Sequence, residues 1–324
     1  MAAETGSRLD VETGGANTAV LVVGFVGVQL LAFAAAYTTG RPTWYAYFIV
    51  GSTAVTAYLL DGSSFVVASA TLGSVLLIAL GLPLFMFVAR QTPSLVVEKA
   101  TDPDVHRVLY LGIYGPLLAA LLSLAFGVPL AHLLSEGFPG QPLVESLVDL
   151  PLVVPHSVAG ILILFGFGEG GAFPSVSVLG SMVGMVLAMA FVAAPYAVNA
   201  TREAFETIDH RLEYASRIHG ANRWETFRRV TGPLAARGMI VLAWARAVSE
   251  FGAVAVVAYS VKFFYPFAGE RVTAQHAPVF VYNTYLQGGL DESGAVAFLL
   301  LAVSAVIFLL VRYLTDDNSV GGMP

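Results

Sequence analysis

The sequence predicts an all-α, polytopic membrane fold, and three observations predict it. Hydrophobic residues make up 57% of the 324-residue chain and charged residues only 12%, with a mean hydropathy of +0.76. The apolar residues gather into eight runs, each of the order of the ~20 residues that an α-helix needs to cross the hydrocarbon core. Seven of the 16 basic residues fall in one amphipathic segment, residues 201–237, between two of those runs. Such a composition excludes a soluble domain. The lack of cysteine excludes disulfides, thiolate metal sites and cysteine nucleophiles. A net charge of −6 with no basic domain leaves no surface for nucleic acid.

Taken in order, the chain begins with MAAETGSRLDVETGG, which is polar and acidic, unlike the basic start of a cleaved signal, so the first span is expected to be retained. Thr18–Thr39 is uncharged and ends at Arg41-Pro42; Thr43–Leu60 follows, and Asp61-Gly62-Ser63-Ser64 turns the chain into Phe65–Ala89. Residues Arg90 to Arg107, with Pro93, Lys99, Asp102, Pro103 and Asp104, form a polar external loop. Val108–Leu134 is the fourth span, kinked by Pro116 and Pro129, and a short loop around Gly137-Phe138-Pro139-Gly140 leads back. The fifth span starts near Leu147 and contains DLPLVVPHSVAG. With Pro151 and Pro155 four apart inside the membrane, this helix must be broken or bent, and such backbone lines a protein cavity rather than facing lipid. Val176–Ala200 is the sixth span and Gly238–Val261 the seventh; a long outer loop, Phe263–Ser293, precedes the eighth, Gly294–Tyr313, and a short polar tail.

The segment between spans six and seven has the pattern of two capped helices. Asp209 is placed to cap a helix that stops at Gly220, the residue best suited to a left-handed terminus. Asn222 and Glu225 stand three apart as in a capping box, and Trp224, Phe227, Val230 and Leu234 follow at spacings of three and four, as one apolar stripe. The excess of arginine places this loop in the cytoplasm. Alternation from there puts both termini inside, with nine basic residues on the inner side against six outside.

The stretch EYASRIHGANRWETFRRVTGP resembles the cytoplasmic loop signature of ATP-binding-cassette (ABC) importer permeases: Glu213, Ala215, Gly220, Ala221, Phe227, Val230 and Pro233 fall in register. Ser216 stands where that family has Ala, and His219 and Gly232 where it has Leu. Three further stretches, DLPLVVPHSVAG, SEFGAVAVVAY and APVFVYNTYLQGGL, are similar to segments of molybdate and tungstate importers, so that the resemblance covers residues 65–314. It implies a type I permease core of six helices over 65–314, preceded by a polar tail and two additional spans in 1–64 and followed by a tail at 315–324. It also implies that Glu213, Ala215, Gly220, Ala221, Trp224, Phe227 and Pro233 couple the chain to a separate ATP-binding subunit. The assembly would hold two copies of this chain, two ATP-binding subunits and an extracytoplasmic solute-binding protein. The implied solute is tungstate or molybdate, with sulfate the nearest competitor.

This chain is not expected to be an enzyme. A phosphate-binding loop needs Gly-Lys followed by Ser or Thr, but Lys99 precedes Ala100 and Lys262 precedes Phe263, so ATP and Mg²⁺ belong to the partner subunit. His156-Ser157 cannot act as base and nucleophile, because adjacent helical residues point about 100° apart. His106, His132, His156, His210, His219 and His276 show no metal-ligand spacing. Candidates for the translocation pathway or gate are Pro151, Pro155, His156 and Ser157 in the fifth span and Arg246 and Glu250 in the seventh. Arg246 and Glu250, four apart, meet on one helix face either as a self-neutralising structural pair or as pathway residues suited to an anion. The rival class is a secondary transporter driven by an ion gradient, with Glu250 as its ion or proton site.

Overall fold

The computed structural model describes residues 15–60, 64–173, 177–236 and 239–320. The turn at Asp61–Ser63, the expected start of the sixth span at Val176, and Arg237-Gly238 lie outside the described residues. By packing, the chain divides into two units at Arg90.

The first unit holds α1 (Gly15–Thr38), α2 (Pro42–Leu60) and α3 (Ser64–Ala89). Gln29 Nε2 donates to Ser52 Oγ at 2.8 Å, giving a polar tie between α1 and α2 in an otherwise apolar pair. Phe33, Ala36 and Tyr45 form a small buried cluster to which Leu82 and Met86 of α3 contribute. Thus α3 packs with α1 and α2, whereas the sequence grouped it with a core starting at residue 65.

The second unit is built around α5 (Pro103–Glu136) and α8 (Met182–Thr207), which share the main core through Leu111, Ala119, Met185, Ala188, Met189 and Ala193. Among the described residues four helices are long and apolar enough to cross a membrane: Val67–Ala89, Pro103–Glu136, Met182–Thr207 and Ala277–Leu310. The fifth expected span is two shorter helices, α6 (Gln141–Val153) and α7 (His156–Phe167), separated by extended Val154 and Pro155. The two prolines therefore act unequally: Pro151 is accommodated inside α6, and the chain breaks at Pro155.

Four expectations are corrected. The segment 90–107 is not a loop: α4 (Pro93–Thr101) forms there, with proline in its first turn, and α5 starts at once from Asp102, whose carboxylate accepts from Asp104 N at 2.8 Å. The seventh span is not continuous; α12 (Met239–Val248) and α13 (Gly252–Val257) are interrupted at Ser249–Phe251, where Glu250 Oε1 takes the Ala253 N–H at 2.9 Å. The outer loop 263–293 is ordered: β1 (Val261–Tyr265) pairs antiparallel with β2 (Glu270–Ala274), burying Val261, Phe263 and Val272. After it, α14 (Ala277–Val320) bends at Gly289, where φ is 81°, and continues through residues assigned to the polar tail. Lys99 ties α4 to α14 through Glu292 at 3.0 Å, and Trp244 of α12 donates to Ile113 O of α5 at 3.3 Å.

Candidate functional site

Two places in the second unit carry the residues singled out by the sequence. The first is the connection from α8 to α12. Helix α9 (His210–Ile218) starts at Asp209, whose carboxylate accepts from Arg211 N at 2.8 Å, and it ends in a left-handed turn. Gly220, at φ 87°, donates to Arg217 O at 3.0 Å, and Ala221 donates to Ser216 O at 3.2 Å, so the last carbonyls of the helix are satisfied. Asn222 and Glu225 form the reciprocal capping box at the start of α10 (Arg223–Thr226). Glu213 reaches Arg217 at 4.0 Å, the i,i+4 pairing that its spacing implies.

Beyond α10 the register departs from the sequence reading. Phe227–Thr231 is a π-helical turn, in which Gly232 N–H bonds Phe227 O five residues back, and α11 (Gly232–Ala236) follows. The cause is Pro233, which lacks the N–H for an α-helical bond and whose ring would clash with a carbonyl four residues earlier. The extra residue moves the stripe. Thr226, Thr231 and Ala235 are buried, while Trp224 and Leu234 are exposed. Phe227 remains an inner residue: its ring lies 5.0 Å from His132 of α5, and His132 lies 5.1 Å from Phe205 of α8. That aromatic cluster joins the connection to both central helices, and neither His132 nor Phe205 was marked by its sequence context. Tyr214, Ile218 and Trp224 project outward, Ile218 being 83% exposed. Tyr214 and Ile218, four apart on a nine-residue helix, were legible as an apolar pair.

The second place is where the two broken spans meet. α13 packs against α7 through glycine. A Cβ on Gly252 would come within 2.8 Å of His156 Cβ, and one on Gly160 within 2.7 Å of Ala253 O. At this junction Arg246 Nη1 faces Glu250 Oε2 at 3.5 Å and donates to Ser249 Oγ at 3.2 Å, while its Nη2 meets His156 Nε2 at 2.8 Å. The guanidinium also lies over the ring of Tyr196 on α8, 5.4 Å from its centroid. Glu250 is wholly buried; its carboxylate accepts from the Ala253 N–H and from Arg246, and His156 Nδ1 lies 3.6 Å away. His276, also wholly buried, lies against the Glu250 backbone. Pro155 and Ser157 are exposed beside this cluster, and Pro151 is buried one helix away. The structure thus brings His156, Arg246 and Glu250 together and adds Ser249, Tyr196 and His276; without the tertiary pairing of two chain breaks, no local signal marks Tyr196 or His276.

The fold is similar to that of a solved bacterial alginate ABC transporter, determined in complex with an alginate pentasaccharide-bound periplasmic protein. The match covers 80% of this chain and 96% of that one, with a TM-score of 0.57 and 19% identity. The fold is accordingly that of a type I ABC importer permease. Residues 123–317 match the family model of the binding-protein-dependent transport system inner membrane component. The chain is 36% identical over 257 residues to the molybdate/tungstate transport system permease protein WtpB of Thermococcus kodakarensis, covering 77% of this chain and 96% of that protein. It is 38% identical over 223 residues to the molybdenum transport system permease protein ModB of Escherichia coli, covering 65% and 93%. The chain belongs to the inner membrane components of binding-protein-dependent transport systems, and it is a multi-pass membrane permease subunit.

Proposed function

We propose that this chain forms the membrane-spanning path of an ATP-driven importer of molybdate or tungstate. The observation that carries the solute is the 36% identity to a molybdate/tungstate permease along 96% of that protein's length. In this reading two copies of the chain face each other, an extracytoplasmic binding protein delivers the oxyanion, and ATP is hydrolysed on a pair of partner subunits. The loop 201–237 is cytoplasmic, and the exposed Tyr214, Ile218 and Trp224 dock on the ATP-binding subunit, together with Glu213, Ala215, Gly220 and Ala221. Phe227 and Pro233 set the loop's inner face. The clustered rings of Phe227, His132 and Phe205 carry that subunit's movement into α5 and α8. Pro151, Pro155, His156, Ser157, Arg246 and Glu250 belong to the gate. Arg246 suits an anion, and among the described residues no ring of carboxylates lies in the spans to favour a cation.

The test is calorimetry on the binding protein encoded beside this chain, followed by uptake into vesicles holding the reconstituted importer. Tight binding and ATP-dependent uptake of tungstate or molybdate are expected. Binding of a sugar, an amino acid or a metal cation, with no response to either oxyanion, overturns the solute and leaves the permease family intact.

A further inference from the structure

Arg246 carries a permanent positive charge and no acceptor, so its 2.8 Å contact with His156 Nε2 fixes the state of the imidazole. With Nε2 accepting from the guanidinium, the ring's N–H is on Nδ1, which faces Glu250 Oε2 at 3.6 Å. One uncharged histidine therefore bridges an arginine and a carboxylate that also face each other at 3.5 Å. Glu250 is not free to move with Arg246, because its other oxygen holds the Ala253 N–H at the start of α13. The remaining groups around the cluster are Ser249 on Arg246, Tyr196 from α8 under the guanidinium, and His276 against the Glu250 backbone. Helix α13, packed on α7, has no titratable side chain.

We propose that His156 is a proton-operated release for Arg246. A proton taken from water onto Nε2 removes the acceptor lone pair and sets an imidazolium against a guanidinium. The imidazolium pairs with the anchored Glu250, and Arg246 is freed for an anionic solute. The side chain of His156 is 49% exposed on the single chain, and in the proposed reading it lines the path through which water and solute pass. Proton uptake changes the cluster from neutral, one arginine against one glutamate, to a net charge of +1 in a span where charge is weakly screened. The inference deepens the proposed function and rests on the cluster lying along an anion pathway.

The experiment uses the complete importer in vesicles at pH values from about 8 to about 5.5, the range in which histidine is the side chain that changes charge. The chain is compared with His156→Gln, whose amide oxygen still accepts from Arg246 and does not protonate. Because the chain has no cysteine, Val158→Cys on the exposed first turn of α7 supplies a single thiol to report local opening. Maleimide labelling is measured without solute in both His156 and His156→Gln backgrounds, which cancels the thiol's own pH response. The ratio of labelling with His156 to labelling with glutamine is expected to rise several-fold on acidification, and the ratio of tungstate or molybdate uptake rates to change over the same interval. Parallel pH responses in the two backgrounds overturn the release, and they do so even if oxyanion uptake is robust. A His156-dependent change in labelling in vesicles that take up some other solute sustains the release and overturns the oxyanion reading instead.

Discussion

Gly220 is held at φ 87°, yet nothing lies within 4 Å of the position a Cβ would take there. The constraint is therefore conformational and not steric contact with neighbours. Gly220→Val puts a β-branched residue in the left-handed region, at a cost of about 1–3 kcal/mol. A correctly inserted Gly220→Val chain should lose uptake, whereas Gly220→Asn, which tolerates that conformation, should retain it. Equal uptake from both would remove the bend from the coupling argument. At the other site, Glu250→Gln leaves Arg246 without its counter-charge in a nearly closed environment and is expected to cost about 3 kcal/mol of stability. The pair Arg246→Met with Glu250→Leu should recover most of that loss in a denaturation assay, since neither charge then remains unpaired. If the double variant is no more stable than the single one, the interaction is not a self-neutralising pair.

Between elements, the junction of α7 with α13 depends on absent side chains. Gly252→Val would press on His156 Cβ and Ser157 N, which stand 2.8 and 3.1 Å from the added Cβ, and overpacking of this kind costs about 1–3 kcal/mol. The midpoint of thermal unfolding should fall by several degrees, and an unchanged midpoint would show that the helices part freely. The break at Pro155 was legible because proline lacks the N–H for a helical bond and turns the residue before it, Val154, to extended backbone. The break at Ser249–Phe251 was not, because no local residue forbids a helix there; a buried carboxylate and a glycine contact with another span create it. The caps at Asp209, Gly220 and Asn222 were legible for the same local reason as Pro155. The hairpin has only a weak local signal: Val261, Phe263 and Tyr265 share one face before a Pro266–Gly269 turn, but Phe264 blurs the alternation that Lys262 begins.

For the molecule as a whole, the alternation of spans gives an expectation that fusion proteins can check. Reporters placed after Ser64, within the loop 201–237 and at either terminus should all report the cytoplasm. An external signal from Ser64 together with a cytoplasmic one from the loop would overturn the topology. The permease core was legible in the sequence at this scale, since a motif of fixed register and long apolar runs are both linear features. The packing of α3 with α1 and α2 was not, because it depends on which faces three similar apolar helices choose, and their sequences offer no polar face to decide it.

The π-turn before Pro233 makes the connection between α8 and α12 a clutch more than a rod. Its five-residue step separates the helical phase of the outward face, carrying Trp224, from that of Thr231 and Ala235, which stay against the bundle. Deleting one exposed residue of that turn, Arg228, would swing the outward face by about 100° against the anchor, and would set the Pro233 ring against the carbonyl that the wider turn now keeps clear of it. A single-residue insertion or deletion there thus turns the surface that meets the partner against the residues, Thr231 and Ala235, that hold the connection to the bundle.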